Sequence, residues 1–202
     1  MALKTSFYNN VTEAGVDEAG RGCLAGPVVA AAVILPRRFR HPGLNDSKKL
    51  TAGQRLKIRE DILGAAVSWH VAFVPNTIID EINILRATWK AMHEALSHLS
   101  PCPGHIIVDG NRFLQYDKIP FTAIIRGDGL YSSIAAASVL AKTARDEYMQ
   151  SIHDEFPHYG WNQNMGYPTR GHRSAIEKHG ITPYHRRSFS LTDSQMKLDF
   201  GK

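Results

Sequence analysis

The sequence predicts an α/β protein in which helices flank a five-stranded mixed sheet, with a small helical C-terminal segment. Three observations carry this. Short apolar runs of strand length alternate with longer segments of helical spacing. Glycine, proline and Asp-Gly pairs punctuate them. At 202 residues the chain is long enough for one domain, residues 1–202, with a sizeable core.

The elements follow in order. Residues 11–16 read as a short strand that delivers Asp17. Beyond a glycine-containing loop, Val28 to Leu35 is a second strand. Leu50 to Leu63 has helical spacing, with Thr51 as its N-cap. Val67 to Val74 alternates as a third strand. Asn76 to Leu99 reads as one long helix whose stripe of Ile78, Ile82, Leu85, Trp89, Met92 and Leu96 belongs to the core. Pro101 and Pro103 break the chain before the strand Ile106 to Val108, and Phe121 to Ile125 is the fifth strand. Tyr131 to Phe156 reads as a helix whose Ala135-Ala136-Ala137 run permits close approach to a sheet. The first three strands form an antiparallel meander only if the helix between them closes over the sheet, and sequence leaves that open. A C-terminal segment from about residue 157 to 202 is expected to close over a groove.

Composition narrows the partners. Lys and Arg number 24 against 19 Asp and Glu, and the pI is about 9.3, a balance that suits a polyanion. Cys23 and Cys102 make neither a disulfide framework nor a metal-ligand spacing, which fits a reducing compartment. With no signal peptide or long apolar stretch, a cytoplasmic protein is expected. The absence of heptads predicts a monomer.

Chemistry concentrates at Asp17-Glu18-Ala19-Gly20-Arg21-Gly22. Adjacent carboxylates raise each other's pKa unless a cation neutralises them, and a hard divalent metal is the usual remedy. The glycines leave the backbone open to a sugar or phosphate. Gly20-x-Gly22-x-x-x-Gly26 superficially matches a dinucleotide-binding loop. That loop must open a helix, whereas Gly26 leads through Pro27 into a strand. Two further acids, Asp109 before Gly110 and Asp128 before Gly129, sit at the ends of the fourth and fifth strands. Each alone reads as turn chemistry. Four acids at strand ends, without a His/Cys ligand set, suit Mg²⁺ or Mn²⁺ rather than zinc.

The motifs resemble ribonuclease HII, the type 2 ribonuclease H, in its bacterial form. Asp17 to Gly22 with Ala25-Gly26-Pro27-Val28-Val29 resembles the family's opening. Asp46-Ser47-Lys48-Lys49-Leu50, Val108-Asp109-Gly110 and Arg126-Gly127-Asp128 match its next blocks. Ser133 to Lys142 with Arg145-Asp146, then Gly166-Tyr167-Pro168-Thr169 and His185-Arg186-Arg187-Ser188-Phe189, match the remainder in order. Cys23 stands where many members carry proline, and Arg126 where lysine is usual.

The resemblance implies a ribonuclease H-like fold and an endoribonuclease acting on RNA–DNA hybrids and on single ribonucleotides in duplex DNA. It implies that Asp17, Glu18, Asp109 and Asp128 hold two Mn²⁺ or Mg²⁺ ions when substrate is bound, and that cleavage leaves 3′-hydroxyl and 5′-phosphate ends. Gly20, Arg21 and Gly22 are expected to recognise the ribose 2′-hydroxyl, and Tyr167 to pack on the sugar at the junction. Lys48, Lys49, Arg186 and Arg187 are expected to contact phosphate. Lys142 or Arg145 is expected to face the acids, spacing not deciding which, and His172 or His185 is the better candidate for a proton shuttle. Gln195 to Phe200 resembles the short peptides that bind replication sliding clamps. A junction resolvase and a non-catalytic nucleic-acid-binding module are the competing readings. The glycine-arginine loop argues against the first, and the presence of all four acids against the second.

Overall fold

The computed structural model describes residues 3–45, 47 and 50–192. Five strands form one sheet: β1 (Glu13–Ala19), β2 (Val28–Ile34), β3 (Ser68–Val74), β4 (His105–Asp109) and β5 (Phe121–Ile124), in the spatial order β3-β2-β1-β4-β5. β1, β2 and β3 form an antiparallel meander, whereas β4 runs parallel to β1 and β5 parallel to β4. β1 is thus central, and its register sets Asp17 opposite Ala31 and Glu18 opposite Ala30. It runs to Ala19 rather than stopping at residue 16, so both acids lie within the strand.

All seven residues of β2, Val-Val-Ala-Ala-Ala-Val-Ile, are buried, as a strand covered on both faces requires. One face, with Ala30 and Ala32, packs on α3 (Ile84–Ser97) through Ala87, Ala91, Met92 and Ala95. The other face, with Val29, Ala31 and Val33, packs on Ala135, Ala136, Ala137 and Ala141 of α4 (Ser132–Ser151). α1 (Ala52–Ala65) closes over this second face. Ile58 and Ile62, one turn apart, join the same cluster, each contributing about 1.5–3 kcal/mol when fully buried. Thr51 caps α1 with a reciprocal Gln54 bond, as its position predicts.

The small residues set how closely α4 approaches the sheet. Gly15 of β1 lies against the start of α4, and a Cβ there would overlap the Ser133 carbonyl carbon and the Ile134 nitrogen.

Two helices differ from expectation. The segment 76–99 is α2 (Asn76–Ile82) and α3, separated at Asn83. Asn83 has φ 68°, and its side chain accepts from the Leu85 and Arg86 amides. The apolar stripe continues across this break, which is why periodicity alone joins the two pieces. α4 ends at Ser151 rather than at residue 156. Beyond it come a short 3₁₀ turn, α5 (Trp161–Asn164) and α6 (Arg170–His179). This C-terminal part has its own apolar cluster, in which Trp161, Tyr159, Ala175 and Ile176 pack on Leu24, Ala25 and Met149. No described helix is long and apolar enough to cross a membrane.

Candidate active site

Parallel pairing of β1 with β4 brings Asp17, Glu18 and Asp109 to one end of the sheet. All three line a recess of about 190 Å³, together with Gly20, Arg21, Gly22, Ser47, Ser138, Lys142 and Tyr167. Asp17 is only 4% exposed. Burial, and then the charges of Glu18 and Asp109, push its carboxyl well above the ordinary carboxylate range. A hydrogen bond with Ser138 and the Glu18 amide, 2.7 Å from Oδ1, act in the opposite sense. Glu18 Oε1 lies 3.4 Å from Arg21 Nη1. Asp109 Oδ1 accepts from the Gly127 amide at 2.7 Å.

Asp128 is placed differently. It is buried in the Gly127–Gly129 turn after β5, one residue beyond the amide that holds Asp109. It is not among the residues lining the recess. Among the described residues, no three His, Cys, Asp or Glu side chains are gathered closely enough to form a metal cage. The oxygen-only donor set nonetheless suits a hard divalent cation that completes its shell with water and phosphate. The unfavourable charge on Asp17 is the kind a cation relieves.

Of the other expected site residues, Gly20, Arg21, Gly22 and Tyr167 share the recess. Tyr167 is 39% exposed, with its ring centroid 6.0 Å from Lys142 Nζ and from Arg145 Cζ. Asp46, Lys48 and Lys49 lie outside the described residues, as does Gln195–Phe200. Ser47 is described, and its hydroxyl lies 2.9 Å from Ser138 Oγ. Arg187 is exposed, and its amide donates to Asp80 Oδ2 at 2.9 Å.

Two expectations are corrected. Arg186 does not offer its side chain to phosphate: its guanidinium is fully buried and donates to the carbonyls of Gly26, Arg21 and Pro27. His172 and His185 are no proton shuttle at the acids. They are buried against each other, Nε2 to Nε2 at 3.2 Å, within the C-terminal cluster. Trp161 Nε1 donates to His172 Nε2, which makes that atom an acceptor. The Thr182 amide likewise donates to His185 Nδ1, so both rings are neutral.

The structure also decides between Lys142 and Arg145. Lys142 lines the recess and pairs with Asp146 one turn on, and Asp146 in turn meets Arg55 Nη2 at 3.1 Å. Arg145 points instead beneath the glycine loop. Ser138 was not singled out from sequence. Its four-residue spacing from Lys142 is the helical signal that could have found it.

An antiparallel three-stranded meander extended by parallel strands, with acids at the end of the central strand, defines a nuclease of the ribonuclease H-like class. A solved structure described as the PCNA:RNase HII complex from Archaeoglobus fulgidus is similar to this chain. Its TM-score is 0.77 at 26% identity, over 92% of this chain and 98% of that one. A ribonuclease HII from Christiangramia forsetii is 59% identical over 196 residues, covering 96% of this chain and 99% of that protein. One from Bacteroides thetaiotaomicron is 58% identical over 192 residues, covering 95% and 96%. The family profile described as Ribonuclease HII matches residues 14–192. The chain belongs to the ribonuclease HII family, enzymes that hydrolyse the RNA of RNA–DNA hybrids.

Proposed function

We propose that this chain is an endoribonuclease that cuts the RNA strand of hybrids and also nicks on the 5′ side of single ribonucleotides in duplex DNA. The observation that carries the reading is one recess that joins three carboxylates to the Gly20-Arg21-Gly22 loop and Tyr167. In this reading Asp17, Glu18, Asp109 and Asp128 hold two Mg²⁺ or Mn²⁺ ions, Asp128 entering the set by its match to the family pattern. When bound, such ions activate water and stabilise the leaving oxygen of an in-line displacement, giving 3′-hydroxyl and 5′-phosphate products. The backbone of Gly20–Gly22 meets the 2′-hydroxyl, and Tyr167 packs on the neighbouring sugar. Lys48, Lys49 and Arg187 serve the phosphate backbone, and the segment from about residue 157 closes over the duplex. The enzyme works as a cytoplasmic monomer.

The test is incubation with Mn²⁺ or Mg²⁺ and a duplex carrying one ribonucleotide. A nick on its 5′ side supports the reading. Cleavage confined to four-way junctions favours a resolvase, and tight binding without cleavage a non-catalytic module.

A sliding clamp is proposed as a partner through Gln195–Phe200. The Archaeoglobus structure described as a PCNA:RNase HII complex favours it. Clamp pull-down by the full chain that is lost on deleting residues 195–202 is the expected result.

A further inference from the structure

Two arginines that the acids do not use lie beneath the glycine loop. Arg145 of α4 and Arg186, which follows α6, are both fully buried. Among the described residues neither forms an ion pair. Their donors run to main-chain carbonyls instead. Arg145 Nε donates to Pro27 O at 3.0 Å, Nη2 to Ala25 O at 3.0 Å and Nη1 to Met165 O at 2.8 Å. Arg186 Nε donates to Gly26 O at 3.0 Å, Nη1 to Arg21 O at 2.9 Å and Nη2 to Pro27 O at 3.0 Å. The carbonyls of residues 21, 25, 26 and 27 therefore all turn toward two cations.

This has a stereochemical consequence at the recess. In a trans peptide the C=O of one residue and the N–H of the next point in opposite directions. Holding the Arg21 carbonyl on Arg186 aims the Gly22 amide away from that guanidinium. Gly22 lines the recess, with open space where a side chain would stand. Arg145 has a second reach. It ties the loop at Ala25 and Pro27 to Met165, two residues before Tyr167. Gly20, at φ 90°, lies so close to Arg145 that a Cβ would overlap Nε.

We infer that Arg145 and Arg186 are positioning residues that set the sugar-reading edge of the site. Arg186 orients the Gly22 amide, and Arg145 fixes the distance between the glycine loop and Tyr167. The inference rests on the reading that Gly20–Gly22 and Tyr167 meet the sugar. A lysine cannot substitute, because one ammonium on a flexible stem lacks the planar fork that reaches three carbonyls in fixed directions. Burial lowers the Arg186 pKa to about 10, which leaves it charged at neutral pH. Hydrogen bonds from a charged donor are the stronger kind, which suits them to hold a loop.

The test compares wild type with Arg145→Lys and Arg186→Lys. Affinity for a duplex with one ribonucleotide and for the same duplex in DNA is measured in EDTA, and nicking of the first with Mn²⁺. Wild type should prefer the ribonucleotide duplex. Each folded variant should lose that preference and about tenfold in kcat/KM, with affinity for the DNA duplex within about twofold. A folded variant that keeps the wild-type preference and rate overturns the inference. A wild type without preference overturns the sugar-reading assignment itself, and this inference with it. Amide exchange at Leu24 and Gly26, whose N–H groups donate to the Gly166 and Tyr184 carbonyls at 2.7 and 2.9 Å, provides a check in the free wild type that needs no variant. Protection comparable with β1 is expected, and exchange within seconds overturns a preset loop.

Discussion

At Asp109 a structural role meets the proposed metal-holding one. One carboxylate oxygen accepts from Gly127, and an asparagine oxygen can do the same. Asp109→Asn should therefore fold as wild type and bind hybrid, yet lose nearly all cleavage. Near-normal turnover at saturating Mg²⁺ or Mn²⁺ contradicts the assignment. Asp17 predicts a different signature. Its carboxyl is pushed up by burial and by two acidic neighbours, so above that raised pKa its charge costs the folded state stability. Asp17→Asn should raise Tm in EDTA, by about 2–4 °C for each kcal/mol of repulsion relieved in a chain of this size, while abolishing cleavage. A Tm unchanged or lowered in EDTA speaks against uncompensated repulsion.

At the scale of elements, the contact of α4 with β1 carries the site, because Ser138 and Lys142 on α4 line the recess with Asp17 and Glu18 on β1. The alanine run announces this contact in the sequence, but Gly15 sets its closeness. Gly15→Ala would drive a methyl into the α4 backbone, where no flexible side chain can yield. A loss of about 2–3 kcal/mol or more is expected by urea denaturation, in the range that overpacking produces. A loss below about 0.5 kcal/mol would show that α4 can shift. The break at Asn83 was legible in principle, since asparagine favours both positive φ and helix caps. Periodicity outweighed that signal because the stripe stays in phase across the break.

Across the whole molecule, the C-terminal part is pinned to the sheet by buried polar groups as much as by apolar ones. Burial, and then His172, lower the His185 pKa from 6.5 to about 4. Burial lowers that of His172 as well. Between those two values the unfolded chain binds the proton that the folded chain refuses. Stability should therefore fall as pH drops through about 6.5 and level off below about 4, with a loss of roughly 3 kcal/mol from His185. Urea unfolding at pH 7.5 and 4.5 measures it. His185→Gln should show the smaller decline, and an equal decline in both proteins removes His185 as the cause.

The sequence by itself located Asp17, Glu18, Asp109, the glycine loop and Tyr167, which the structure gathers in one recess, and four of the five strands nearly to their ends. These are local patterns, marked by a residue's neighbours along the chain. Only the tertiary structure decided the strand order, the closing of α1 over the sheet, the choice of Lys142 over Arg145 and the burial of Arg186. An arginine is expected at the surface unless its donors find acceptors. The acceptors of Arg186 are carbonyls about 160 residues earlier in the chain, and no local pattern marks a partner at that distance. His172 and His185 follow the same physics, since ring neutrality depends on a cavity assembled from separated segments.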